Sequence, residues 1–242
     1  QNITLDCAGN YINIPSDNYA GVYSNQLNTT IKNCNITMGS GSGGSGIYLN
    51  GANNSLIFNN TLSSQGRGIY LSYTSNTKIG NNTANSNTYE GIMLASSSNN
   101  NQLINNTLSS NTYEGIFFQT SLNNTVAYNM VFNSLYGIYL YTGSNNNQLI
   151  HNNITNSNSH GVYIRSASSN NLLIGNTIVN SINNDVNLSL NSLNNTFLNV
   201  TYNSSREYVE SGSQLIRAWY YQANVTYNNL PVNNSKLSAY NK

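Results

Sequence analysis

The sequence predicts an all-β chain wound into a right-handed parallel β-helix of about eight coils of 22–26 residues, and three repeating signals predict it. The first is a tetrapeptide. Gly46-Ile47-Tyr48-Leu49 returns as Gly68-Ile69-Tyr70-Leu71, Gly91-Ile92-Met93-Leu94, Gly115-Ile116-Phe117-Phe118, Gly137-Ile138-Tyr139-Leu140 and Gly161-Val162-Tyr163-Ile164, with weaker copies at Gly21 and Asp185. The steps are 25, 22, 23, 24, 22, 24 and 24 residues. A period of this length marks a stacked array, in which each unit contacts its neighbours. The second signal is an Asn followed two residues later by an apolar residue, at Asn60, Asn82, Asn106, Asn129, Asn152 and Asn176. The third is a preceding column read as Ile31, Ile57, Ile79, Ile104, Ala127, Ile150, Ile174 and Leu198.

Each unit therefore reads as a G-I-x-L strand, a Ser/Asn turn, a short strand ending in Ile, an Asn bend and a further short strand. The apolar runs alternate over two to four residues and are broken by Gly, Ser and Asn. That is strand punctuation, and no run sustains a helical period. Three such strands bury an apolar face once the unit closes into a coil and the coils stack about 4.8 Å apart. Alternation sends the Ile and Leu of G-I-Y-L inward and the Tyr outward. The Asn column reads as an internal amide ladder. Asn and Gly also tolerate the left-handed backbone of tight corners. Together these account for a chain that is about one-fifth Asn.

These repeats resemble the right-handed parallel β-helix repeats of the NosD-like and "carbohydrate-binding and sugar hydrolase" type. The opening Ile3-Thr4-Leu5-Asp6-Cys7-Ala8-Gly9 resembles that family's N-terminal entry, and the resemblance runs over about residues 1–205. It implies the fold. The fold hosts lyases, hydrolases, adhesins and surface proteins alike, so function has to come from the residues.

Charged residues make up 6% of the chain and the net charge is +1. Eight basic residues scatter as Lys32, Arg67, Lys78, Arg165, Arg206, Arg217, Lys236 and Lys242. This argues against a nucleic-acid partner, which needs clustered cations. No apolar stretch has the length of a membrane span. The chain begins at Gln1 inside a strand-like segment and reads as a processed chain or a fragment. Sequons occur at Asn2, Asn28, Asn35, Asn53, Asn59, Asn81, Asn105, Asn123, Asn153, Asn187, Asn194, Asn199, Asn203, Asn224 and Asn233. N-linked glycans on some of them would keep an uncharged surface soluble and imply an extracellular location. An inward-facing Asn is excluded from that role.

Cys34 sits at the Asn-column position one coil before Asn60, and Cys7 lies 27 residues earlier. Stacked neighbours about 5 Å apart suit a disulfide, so a Cys7–Cys34 bond is expected, with an oxidising compartment. After about Ser205 the rhythm stops. Residues 206–242 read as a C-terminal β extension: a cap, a strand contributed to a partner, or the start of a truncated β-sandwich.

The residue before each Gly forms its own column: Ala20, Ser45, Arg67, Glu90, Glu114, Tyr136, His160 and Asn184. Glu90 and Glu114 would stand about 5 Å apart on adjacent coils. That separation suits a retaining glycosidase pair. It equally suits a solvated ladder neutralised by Arg67, and both Glu fall in a duplicated Asn-Thr-Tyr-Glu-Gly-Ile segment. The Asp residues, Asp6, Asp17 and Asp185, fall in different coils, unlike the Asp clusters of β-helix lyases. His151 and His160 occupy different columns and Met38, Met93 and Met130 are scattered, so no metal set or cofactor site is read. The outward column Tyr23, Tyr48, Tyr70, Met93, Phe117, Tyr139 and Tyr163 is expected to form an exposed aromatic face. Such a face suits stacking within the sheet, a subunit contact or sugar binding. The reading that follows is an extracellular structural glycoprotein, a surface or filament subunit that self-associates through faces, ends or tail. The alternatives are a carbohydrate-binding β-helix and a polysaccharide lyase or hydrolase using Glu90 and Glu114.

Overall fold

The computed structural model describes residues 2–14, 20–38, 43–64, 66–220, 226–227 and 230–231. The chain forms a β-solenoid of about eight turns, about 24 residues per turn, with three parallel sheets. Sheet A has ten strands, from Ile3–Asp6 to Leu215–Ala218. Sheet B has nine, from Tyr11–Ile14 to Thr201–Tyr202, and sheet C has nine, from Val22–Ser24 to Glu207–Val209. One complete coil is Leu56–Phe58 in sheet A, Thr61–Ser63 in sheet B and Arg67–Ser72 in sheet C.

The core is a bundle of columns in strict register. On sheet C, Ile47, Ile69, Ile92, Ile116 and Ile138 stack in one column and Leu49, Leu71, Leu94, Phe118 and Leu140 in a second, all fully buried. Their glycines are required by close approach. A Cβ on Gly137 would stand 2.5 Å from the Gly161 carbonyl oxygen and 2.3 Å from Ile154 Cγ2. On sheet A the inward column is Ile31, Ile57, Ile79, Leu103, Val126, Leu149, Leu173 and Phe197. This corrects the column read from sequence. From the fourth coil onward the true core residue is one position earlier than Ile104, Ala127, Ile150, Ile174 and Leu198. A three-residue strand turns only its middle residue inward, so where two apolar residues adjoin, the second faces out.

The corner from sheet A to sheet B is held by the predicted amide ladder. Asn60, Asn82, Asn106, Asn129, Asn152 and Asn176 are at most 1% exposed. Asn129 Nδ2 donates to Leu103 O, Ala127 O and Asn152 Oδ1 at 2.9, 3.1 and 3.0 Å, while its own Oδ1 accepts from Asn106 N and Nδ2 at 2.9 Å each. The preceding residue takes the left-handed turn, at φ 54–57° for Asn81, Asn105 and Tyr128. Cys34 heads this column, its amide donating to Asn60 Oδ1 at 3.0 Å. Its sulfur is bonded to Cys7 one coil below, with the two Cα atoms 4.8 Å apart. The sequence reading missed a second amide ladder, Asn101, Asn124, Asn147, Asn171 and Asn195, at the turn from sheet C to sheet A.

The parallel coil runs on past residue 205. Glu207–Val209 adds to sheet C and Leu215–Ala218 to sheet A, both parallel. The described antiparallel pair is the short bridge of Thr226–Tyr227 with Leu230–Pro231. On this last turn the inward columns end in polar residues. Val186 is followed by Glu207, Phe197 by Arg217 and Ile178 by Tyr202. Arg217 Nε donates to Glu207 Oε2 at 2.9 Å, Tyr202 Oη donates to the same oxygen at 2.5 Å, and Arg217 Nη2 pairs with Glu207 Oε1. One residue from each sheet thus closes the end of the bore, which supplies the polar outer face a terminal repeat needs.

Replacing Asn129 by Ala should cost roughly 2–5 kcal/mol, because it strands several buried donors and acceptors at once. Replacing its exposed neighbour Asn105 should cost about 1 kcal/mol, the strain of Ala in a left-handed turn. Denaturant unfolding of the two variants checks this, and equal losses would show that the ladder does not hold the corner.

Candidate functional site

The outward side of sheet C gathers the chemically distinctive side chains. Its strands are six residues long in most coils, so they present two outer columns beside each other. Hydrogen bonds from Gly68 N to Glu90 O and from Gly91 N to Glu114 O, both 2.9 Å, place Arg67, Glu90 and Glu114 on successive coils. Tyr136, His160 and Asn184 follow in register. The aromatic column lies alongside as read: Tyr23, Tyr48, Tyr70, Met93, Phe117, Tyr139 and Tyr163, then Asn187 and Tyr208.

Glu90 and Glu114 are not a solvated ladder. Each is 7% exposed. Glu90 Oε2 lies 2.9 Å from Arg67 Nε, and the guanidinium spans the Tyr70 and Tyr89 rings at 5.3 and 5.2 Å from their centroids. Tyr89 in turn stacks on Tyr113 at 5.8 Å. Burial raises the Glu90 pKa against the opposing pull of Arg67. Burial, and then the negative charge of Glu90, push Glu114 up to about 8. One cation therefore serves two carboxyls, and at neutral pH Glu114 holds its proton. The pair could act as a proton donor beside an ion-paired carboxylate, but two side chains this deeply covered have little room for a substrate.

The aromatic face is more closed than the sequence suggests. Tyr139 is 8% exposed and Met93 6%; Tyr48, Tyr70, Phe117 and Tyr163 are half-buried, and Tyr23 is exposed. The rings cover one another. Tyr48 stacks on Tyr70 and Tyr139 on Tyr163, each pair with centroids 4.7 Å apart and nearly parallel planes. Ring faces are used between coils, and edges and hydroxyls meet solvent. The sequence reading did not foresee the cluster at the C-terminal half. There Tyr136 stacks on His160 at 5.5 Å, Arg165 lies over Tyr163 at 5.8 Å, and Asn187 Nδ2 approaches His160 Nε2 at 3.4 Å. Burial lowers the His160 pKa, which keeps the imidazole neutral. The break at Asn187 in an otherwise aromatic column was the available signal. Asp185 was a second one. Where the repeat has Gly, its carboxylate accepts from Ser181 N and Asn203 N at 3.1 and 3.0 Å and finishes the last full turn.

The sequons divide by environment. Asn2, Asn28, Asn59, Asn81, Asn105, Asn123, Asn153, Asn194 and Asn203 are exposed. Asn35, Asn53 and Asn199 are half-buried, and Asn224 and Asn233 lie outside the described residues. Asn187, 8% exposed beneath the sheet C cluster, is withdrawn as a glycan site because its amide faces a packed neighbour.

Among the described residues no group of three His, Cys, Asp or Glu could hold a metal. His151 stacks on Tyr128 at the corner after sheet A and faces Gly175 O at 3.3 Å, whereas His160 lies on sheet C.

The raised carboxyl has a consequence for stability. Glu114 titrates near 4.5 unfolded and near 8 folded, so the folded state holds its proton more tightly. Its contribution is complete below about pH 4.5, falls as pH rises, and is gone above about pH 8. A melting-temperature profile should therefore decline across that window, and Glu114→Gln should flatten most of the slope. An unchanged slope in the variant would place the titration elsewhere.

Comparison with known proteins agrees with this geometry. Solved structures with the same fold include the periplasmic alginate epimerase AlgG, 15% identical with a TM-score of 0.60 over 82% of this chain and 61% of that one. The Azotobacter vinelandii mannuronan C-5 epimerase AlgE4 A-module is 16% identical, with a TM-score of 0.61 over 80% and 63%. Pectate lyase Pel9A is 12% identical, with a TM-score of 0.67 over 93% and 69%. The chain spans about three-fifths of the length of these epimerases. At such identities the likeness is one of fold. No curated protein sequence matches the chain. The sequence profile described as "Periplasmic copper-binding protein (NosD)" matches residues 3–159. Among the described residues the donors do not make a copper set, since both cysteines are in the disulfide and the two histidines stand apart, one just after a sheet A strand and one on sheet C. By the extent of that match, the chain belongs to the NosD family of β-helix repeat proteins.

Proposed function

We propose that this chain is the structural module of a protein outside the cytoplasm, a stiff glycosylated rod that associates with further copies of itself. The observation that carries this reading is that the distinctive polar and aromatic groups are spent between coils. Corner amides bond to the next coil's amides, and sheet C rings stack on the next coil's rings. Such contacts stiffen a solenoid along its axis. The disulfide fits an oxidising compartment, and the family description speaks of a periplasmic protein. The exposed Asn59, Asn81 and Asn105 stand one per coil on left-handed corners, where a glycan would project clear of the sheets.

A second reading is a polysaccharide-binding rod. Its support is the row of tyrosine edges and hydroxyls on sheet C together with the names of the structural neighbours, which act on alginate, mannuronan and pectate. A polymer laid along the axis would meet similar groups at each coil.

Intact mass and affinity electrophoresis separate the two. The structural reading expects native protein heavier than the 26.5 kDa of the bare chain by whole glycan units, and unretarded migration in gels containing alginate or pectate. Bare mass removes the glycan claim. Retardation that is lost in Tyr48→Ala/Tyr70→Ala moves the assignment to polysaccharide binding.

A further inference from the structure

The three sheets share one architecture but differ in what they show to solvent. Sheet B presents a mostly polar column, with Thr61, Thr83 and Thr107 in register and Met130, 49% exposed, as its apolar exception. Sheet C covers its rings with one another. Sheet A does neither. One of its two outer columns runs in register from Phe58 through Ile104, Ile150, Ile174 and Leu198 to Ala218, with the small, buried Gly80 and Ala127 between them. Ile104, Ile150, Ile174 and Leu198 are residues that a first reading takes for core. Phe58 is 36% exposed, and the four Ile and Leu are all partly exposed. The parallel column is mixed: Leu56, Leu172 and Ile216, the last 42% exposed, alternate with Lys78 and with uncharged polar residues, Gln102, Thr125, Gln148 and Thr196. From Leu56 onward the two columns carry a single charge, Lys78. Lys32 lies one coil further toward the same end, paired with Asp6 at 3.1 Å.

We propose that sheet A is the face on which two copies of this chain pair, with their axes antiparallel. This rests on the self-associating structural reading and names its surface and symmetry. Eight coils at ~4.8 Å give a stripe about 38 Å long, and two outer columns with their side chains make it roughly 15 Å wide. The product, on the order of 600 Å² per partner, reaches the lower end of what specific interfaces bury. Its composition, aliphatic along one column, mixed along the other and nearly without charge, suits an interface between copies. The flat, evenly spaced ridge is self-complementary under a twofold axis. Charge selects the direction. A parallel pair would set Lys78 against Lys78, whereas an antiparallel pair sets it against the uncharged Leu198 end. The axis then passes between the Ala127 and Ile150 coils.

Sedimentation equilibrium of the native chain tests this, with Ile150→Thr/Ile174→Thr, which copies the chemistry of sheet B, and Thr107→Glu on sheet B as the control. The expected result is a dimer for the native chain and the control, and at least a tenfold weaker dimer for the sheet A variant with an unchanged melting temperature. Spin labels on Lys78→Cys should be separated by several coils in the dimer. A native chain that is monomeric at micromolar concentration overturns both the interface and the self-associating reading. A dimer that the sheet A variant leaves intact overturns the interface alone, and labels in close contact overturn the antiparallel direction.

Discussion

Everything in this molecule depends on one constraint: every coil must return to the same place about 4.8 Å above the last. Parallel strand pairing sets that spacing along the sheets, but the chain must also turn three times per coil without leaving buried backbone groups unpaired. The Asn column solves this at the corner between sheets A and B. Each amide accepts from the coil below and donates to its own turn and the coil above, so one side chain satisfies groups that a bend would otherwise strand. An aliphatic residue of the same size could not do this. That is why a chain with an apolar bore can be so rich in Asn.

The ladder also explains where the chain departs from its repeat. A stacked array needs distinct ends, because a terminal coil lacks one neighbour. At the N-terminal end the Asn column is replaced by Cys34, whose sulfur is tied to Cys7 below. At the other end the Gly column yields to Asp185, whose carboxylate takes over backbone donors that a further regular coil would have served. One turn later Glu207, Arg217 and Tyr202 meet across the bore. Burial of the Glu207–Arg217 pair is partial, so its worth lies in giving the bore a wettable end more than in net stability.

Fold and register were largely legible because they repeat. The Gly-Ile-Tyr-Leu and Asn columns each recur at a fixed step, and their inward and outward assignments follow from strand alternation. The disulfide was legible for the same reason, as Cys34 stands where an Asn should. Legibility failed where the period gives no phase. In Leu103-Ile104 and Leu149-Ile150 both residues are apolar, and only the coil's closure decides which one turns inward. It failed again at the tail, where the strands of 207–209 and 215–218 lack the sequence signature yet pair in register because the sheets below offer open edges. At the candidate site, the Glu90–Glu114 stacking was readable from the column. Their burial was not, since a column gives a side chain's place and not what covers it, and the ion pair of Glu90 with Arg67 is set by the neighbouring coil.

The same comparison of columns bears on what the rod is for. Within one solenoid the outer positions of each sheet are under no demand from the core, so their chemistry is free to vary. On sheet B they are mostly Thr, Ser and Asn, which suit water, with Met130 and Phe132 among them. On sheet C they are rings that satisfy one another, with one ion pair and one protonated carboxyl beneath. On sheet A one column is largely aliphatic and the other mixes Leu and Ile with Gln and Thr, over a length that neither core packing nor corner geometry requires. The Glu90–Glu114 pair is covered, each residue 7% exposed. A surface that repeats itself at every coil is suited to a partner that does the same, and another copy of this chain satisfies that condition by construction.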